Sequence, residues 1–324
     1  MQAFFRTGML ILILASWMVP CLAQELASYS FDARGMAGTL RSVGSDTMNQ
    51  LMLAWSEAFR AQYPAVRFEI DGAGSSKAIP ALIQGSSFGP MSRPLKASER
   101  ADFEAKFGYP PVVVPTCLDL VNIVVHRDNP IRELSLEELD GIFGATFRRD
   151  GGSIERWEQL SVNDFGSAVI QPIGRNAASG TYLFFKEAVL QGGDFRDRVS
   201  ELPGSSAIVH AVSTERHGIG YCGAGQVSSA VRIVPLSRSK NRPSFLPTPE
   251  NALDGSYPLA RVLYLVFHRD PKLGSFDPLL EEFLRFITSQ DGQKLVVDSG
   301  HVPLPPNHLR SAWSKAGITL SFPE

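Results

Sequence analysis

Short apolar runs and helix-spaced apolar residues alternate along most of the chain. The runs at 39–43, 66–70, 112–114, 118–125, 169–173, 231–234 and 262–267 predict strands. Between the first two, Met48, Leu51, Met52, Trp55 and Phe59 recur at the spacing of one buried helical face. Ser135 followed three residues later by Glu138 is a capping-box start for a helix through Phe143. The stretches 182–190 and 279–287 are further helical runs. Strands alternating with helices predict an α/β fold built in layers. A polar, proline-rich stretch at 237–258 has no apolar periodicity and reads as a long surface loop. One strong strand and two helices are expected after it, too little for a separate domain. This tail is therefore expected to return and complete the first domain.

The N-terminal pattern is different. A single charge, Arg6, precedes an apolar stretch from Met9 to Val19 that ends near the small residue Ala23. That is a secretory leader pattern over 1–23, too short for a comfortable membrane span of about 20 apolar residues. Cys21 could suggest a lipoprotein, but Pro20 before it fits that processing poorly. Cleavage after Ala23 leaves 30 basic and 33 acidic residues, so nothing resembles the basic footprint of a nucleic-acid binder. The chain has 324 residues, long for one domain and natural for two. Export permits disulfides, and Cys117 and Cys222 are the candidate pair, with two buried free thiols as the alternative. The six histidines show no metal-ligand spacing, and no nucleophile elbow, P-loop or dinucleotide fingerprint occurs. No cofactor or metal is expected.

Three segments share one design, in which a strand ends, a small or polar turn follows, and a helix begins. They are Val43-Gly44-Ser45-Asp46-Thr47-Met48, Asp71-Gly72-Ala73-Gly74-Ser75-Ser76, and Gly174 through Thr181 with Arg175, Ser179 and Gly180 inside it. Helix starts offer unpaired N–H groups and attract anions. Hydroxyls add donors, and arginine adds a full charge on a planar fork suited to phosphate oxygens. Serine or threonine at one helix start is commonly a plain N-cap. Three such turns, each beyond the carboxyl end of a strand where α/β ligands bind, point to an anion site.

The segment from Arg175 to Thr181 resembles the signature of the periplasmic phosphate-binding proteins of ABC transporters. Gly44-Ser45-Asp46-Thr47 and Gly72-Ala73-Gly74-Ser75-Ser76 resemble that family's first two anion loops. Gly89 through Lys96 resembles a further landmark, and His217 to Tyr221 and Tyr257-Pro258-Leu259 add weaker support. The resemblance implies a type II periplasmic binding fold, two α/β domains joined by two crossover strands with the ligand in the cleft between them. The expected domains are 24–118 with 256–324, and 119–255. By position, Thr47 and Ser75 would each give a hydroxyl and an amide, and Met48 an amide. Arg175 would give the charge, and Ser179, Gly180 and Thr181 would cap the anion. Ser45 and Ser92 are further candidates.

One departure stands out. Well-known members carry an aspartate after the landmark serine, where this chain has Arg93. An ionised carboxylate can only accept, so it rejects sulfate, which offers no proton. Asp46 is the candidate replacement acceptor, with a first-turn acid favoured by the helix dipole as the alternative. Arg93 either faces the anion or pairs with a surface acid. The implied function is a binding protein, monomeric and not an enzyme, in the periplasm or secreted, that delivers inorganic phosphate to an ABC permease. Binding of sulfate or arsenate, a phosphate-sensing or adhesive role, and a phosphoesterase activity are the competing readings. The last lacks paired metal ligands and an activated nucleophile.

Overall fold

The computed structural model describes residues 26–318 apart from 31–34, 161, 166 and 273–276, so the leader expected at 1–23 lies outside the described residues. In chain order its strands begin with β1 Gly38–Val43, β2 Val66–Asp71, β3 Phe88–Met91, β4 Val112–Leu120, β5 Asn122–His126, β6 Leu134–Ser135 and β7 Gln171–Arg175. They continue with β8 Ser200–Leu202, β9 Gly218–Cys222, β10 Val231–Ile233, β11 Leu236–Ser237, β12 Ser244–Phe245, β13 Ala260–Phe267 and β14 Val302–Pro303.

These strands form a six-stranded sheet ordered β14-β4-β13-β3-β1-β2, a five-stranded sheet ordered β10-β5-β9-β7-β8, and a small sheet of β12-β11-β6. In the first, β1 runs parallel to β2 and β3, while β13 lies antiparallel to β3 and β4. In the second, β7 runs parallel to β8 and β9. The chain crosses between the two large sheets at Val121 and again just before Ala260. The two crossings lie side by side, with Val121 N–H donating to the Leu259 carbonyl at 2.9 Å.

The predicted helical face is buried as its spacing implies. Leu51, Met52, Trp55 and Phe59 of the helix Asn49–Gln62 pack into the core of the first sheet with Phe88, Leu265 and Phe283. Phe143, Trp157, Phe185 and Tyr221 anchor the core of the second. The Ser135 capping box forms as read, its hydroxyl accepting from Glu138 N–H and the Glu138 carboxylate accepting from Ser135 N–H.

Several details differ from expectation. The break predicted at 115–117 is absent: β4 continues through Pro115, which stands opposite Tyr264, while Thr116 is the extra residue of a bulge opposite Leu263 and Tyr264. The loop at 237–258 contains the end of β11, the short strand β12 and the helix Pro249–Leu253, which Thr248 caps and Pro249 starts. The tail carries the helices Pro278–Thr288, Gln290–Asp298 and Pro306–Lys315, one more than expected. Cys117 and Cys222 are free thiols and form no disulfide. Cys117 belongs to the first core and Cys222 to an apolar cluster with Ile208 and Val212. Burial pushes both thiols up to about 12.

Candidate functional site

The parallel strands of both sheets deliver their carboxyl ends to one seam. β1 and β2 are in register to Val43 and Asp71, so the turns carrying Thr47 and Ser75 leave the sheet level with each other. Those turns are stitched together by backbone. Gly74 N–H donates to the Gly44 carbonyl at 2.7 Å, and Ser45 N–H to the Pro90 carbonyl at 2.7 Å. Gly74 holds φ at +104°, a conformation that side chains rarely adopt. A Cβ on Gly44 would stand 2.2 Å from the Pro90 carbonyl oxygen. These glycines let the first two turns close on β3, whose end brings up Ser92.

From the other sheet, β7 ends on Arg175. Ser179 then caps the helix Gly180–Ala188, its hydroxyl oxygen accepting from Thr181 N–H at 3.0 Å and Tyr182 N–H at 3.4 Å. β8 leads to Ser205, and β9 leads to Gly223.

Side chains meet across the seam. Thr47 Oγ1 and Thr181 Oγ1 lie 2.9 Å apart. Ser76 Oγ donates to the Ala178 carbonyl at 3.1 Å. Asp46 Oδ2 lies 3.2 Å from Arg175 Nη1 and accepts from Ser205 N–H at 3.2 Å. Ser75 Oγ contacts Ser92 Oγ at 3.2 Å and accepts from Ser92 N–H at 3.1 Å. Gly180 packs directly on that serine pair.

Arg175 is 1% exposed, yet its Nη1 donates to Ser205 Oγ at 2.9 Å and its Nη2 to the Pro203 carbonyl at 2.8 Å. Burial lowers its pKa and Asp46 opposes that shift; a guanidinium stays charged either way. A second buried ion pair lies beside it. Arg261 on β13 sits opposite Asp119 on β4 in the strand register, and its Nε and Nη2 donate to Asp119 Oδ2 at 3.0 and 2.7 Å. Burial alone would push the Asp119 carboxyl up, but Arg261 and His301 override it and hold it well below the usual carboxylate range. Arg261 Nη2 also reaches Thr181 Oγ1 at 2.9 Å and Thr47 Oγ1 at 3.3 Å.

A proton inventory shows what this arrangement can do. Each hydroxyl pair holds two protons and has one mutual bond to fill. The neighbours that bond these hydroxyl oxygens, Arg261 Nη2 and Ser92 N–H, are donors. Each pair is therefore left with one O–H in surplus. Ser45 Oγ, Arg175 Nε and Arg261 Nη1 are buried without a partner as well. A cluster rich in donors and lined by two guanidinium groups is matched by a small polyanion with several acceptor oxygens.

Of the residues singled out from sequence, Asp46, Thr47, Ser75, Ser92, Arg175, Ser179, Gly180 and Thr181 come together at the seam. Ser45 is buried beside them. Met48 turns its side chain into the first core, and its N–H reaches the Ser45 carbonyl at 3.3 Å. Arg93 pairs with an acid, Nη1 and Nη2 donating to Glu99 at 2.8 and 2.5 Å, while its Nε is buried without a partner. Glu99 is the third residue of the helix Ala97–Phe107, and its side chain is only 12% exposed. Sequence reading missed Asp119, Arg261 and Ser205. A signal existed for the first two, because opposite charges sit inside or beside the strand runs 118–125 and 262–267. Among the described residues, no group of three or more His, Cys, Asp or Glu side chains could hold a metal ion.

Residues 33–291 match the model of the PBP superfamily domain. The chain is 42% identical over 290 residues to the phosphate-binding protein PstS of Pseudomonas aeruginosa, covering 88% of this chain and 89% of that one. It is similar to a Clostridium perfringens protein described as a phosphate ABC transporter substrate-binding protein, solved with bound phosphate. That match has a TM-score of 0.70 and 26% identity, covering 82% of this chain and all of that one. An ABC-type phosphate transport receptor from Vibrio cholerae shares the fold with a TM-score of 0.63 at 24% identity, over 82% of this chain and 100% of its own.

Proposed function

Because the chain belongs to the PBP superfamily and, within it, to the phosphate-binding proteins of ABC transporters, we propose that it captures inorganic phosphate between its two sheets and delivers it to an ABC permease. The observation that carries this reading is the surplus of buried donors at the seam. Phosphate oxygens supply the acceptors that the Thr47–Thr181 and Ser75–Ser92 pairs and Arg175 lack.

In this reading Thr47, Ser75, Arg175, Ser179, Gly180 and Thr181 hold the anion, with Ser45, Ser92 and the Met48 amide beside them. Arg93 stands outside the set because Glu99 takes both of its terminal nitrogens. Asp46 has two roles. Its Oδ2 orients Arg175, and its Oδ1 accepts the proton of monohydrogen phosphate, which sulfate cannot offer. The domains are 24–118 with 256–324, and 119–255, hinged at the paired crossings near Val121 and Leu259. Phosphate stabilises the closed arrangement by contacting both, and that monomeric, liganded form is what a permease recognises. The protein binds rather than catalyses. It works outside the cytoplasm once residues 1–23 are removed, a reading supported by the single charge and short apolar run of that segment.

Calorimetric titration with phosphate and then sulfate tests this directly. Wild type should bind phosphate tightly and leave sulfate unbound. Arg175→Ala should weaken phosphate binding at least ~10- to 150-fold, the loss of a charged hydrogen bond worth ~1.5–3 kcal/mol. Asp46→Asn should narrow the gap between the two anions. Phosphate affinity unchanged by Arg175→Ala would refute the site assignment.

A further inference from the structure

Arg261 touches both sides of the seam. Its backbone lies on β13 of the first sheet, locked opposite Asp119 by strand register and two hydrogen bonds. Its guanidinium reaches Thr47 on that side and Thr181 on the other. Its terminal carbon stands 5.2 Å from the centre of the Phe184 ring, which belongs to the helix Gly180–Ala188 that carries Thr181. The side chain is 3% exposed, and Nη1 is buried without a partner.

We propose that Arg261 is a positioning residue of the anion site, which fixes the Thr47–Thr181 hydroxyl pair as a proton donor to a deprotonated ligand oxygen. Hydrogen-bond direction assigns this role. A guanidinium has no acceptor atom. Both threonine oxygens therefore accept from Arg261, sharing the one Nη2 proton that Asp119 leaves, and neither hydroxyl proton can be donated back to it. One proton fills the bond between the threonines. The second has no acceptor in the ion pair either. Asp119 Oδ2 already takes two bonds from Arg261, and Oδ1 takes Ala224 N–H at 3.1 Å with His301 Nδ1 3.4 Å away. That proton points to the ligand. Without Arg261 the two hydroxyls could rotate and accept, and the corner would lose its polarity. Asp119 sets the guanidinium in place, because an arginine fork held at Nε and Nη2 cannot turn away from the threonines.

This inference rests on the phosphate reading, and the test separates the two. Phosphate titrations are run on wild type, Thr181→Val, Asp119→Asn/Arg261→Gln and the triple variant. The paired substitution removes both buried charges together, so neither is left uncompensated. Ligand-free melting temperatures check the fold of each. Thr181→Val should weaken phosphate binding ~10-fold or more in wild type and by less than ~3-fold in the paired background, a non-additivity that a merely structural role does not produce. Arg261→Lys keeps the charge but not the fork, and it should recover only part of the lost affinity. Should the paired variant fail to fold, Arg261→Lys takes its place in the cycle, with the same non-additivity expected. Phosphate binding that is unchanged in the paired variant, or effects that simply add, would overturn the role of Arg261. A wild type that ignores phosphate altogether would instead overturn the phosphate reading.

Discussion

Gly180→Ala gives the most direct test of how the two sides of the seam meet. Local physics favours the substitution. Gly180 is the first residue of its helix, its φ lies outside the range that demands glycine, and alanine in a helix gains up to ~1 kcal/mol over glycine. The seam opposes it. The added Cβ would stand 2.3 Å from Ser92 Oγ and 2.5 Å from Ser75 Oγ, and both serines are fully buried. Rotating the hydroxyls aside would break the contact between them and the bond from Ser92 N–H, so relief also dismantles the donor pair. Overpacking of this kind costs about 1–3 kcal/mol. The clash exists only while Gly180 lies against Ser75 and Ser92, so the cost falls on ligand capture rather than on folding. Phosphate dissociation constants should rise ~5- to 150-fold, while the melting temperature of the ligand-free protein stays level or rises. Calorimetric titration and thermal unfolding read the two quantities separately. An affinity within twofold of wild type would refute the steric argument, and a melting temperature lowered along with the affinity would show that the clash acts in the ligand-free fold.

Two further outcomes follow from buried groups. With both thiols pushed up to about 12, Cys117 and Cys222 should resist iodoacetamide at pH 8 in the native protein and react in denaturant, as read by peptide mass spectrometry; rapid native labelling of either would contradict its burial. The Asp119 carboxyl is held below its unfolded value, so the stability it contributes is complete above about pH 4 and is lost as pH falls further, through the folded value. The melting temperature of Asp119→Asn/Arg261→Gln should therefore fall less steeply than that of wild type below pH 4, and equal slopes would remove the ion pair from that account.

What the sequence disclosed was local. The face through Leu51, Trp55 and Phe59, the Ser135 capping box and the three turns are signals written within a few residues of one another. Each formed where its spacing placed it. The misreadings arose where a distant partner decides. The run ending at 114 stops short of Pro115 in sequence, yet Pro115 stands opposite Tyr264 of β13, some 150 residues away in the chain. The loop at 237–258 lacks periodicity, yet its Ser237 stands opposite Ser135 of β6 and Ser244 of β12 in a sheet too short to leave a pattern. Arg93 fits either an anion contact or an acid pair by sequence, and Glu99 at the start of the next helix takes its terminal nitrogens.

The same division runs through the site. The anion turns are legible because each is one continuous segment, whereas the pair that orders them is not. Asp119 and Arg261 lie 142 positions apart and meet only through strand register. Their charges are balanced against each other, as those of Asp46 and Arg175 are. The four groups therefore add little net charge to the seam, and attraction for an anion has to come from oriented donors. Orientation is what the buried pairs supply. Asp46 aims Arg175, Asp119 aims Arg261, and Arg261 in turn aims two hydroxyls on opposite sides of the seam. A site of this kind distinguishes ligands by where their protons lie, because misdirected donors and acceptors in a buried site cannot be compensated by water.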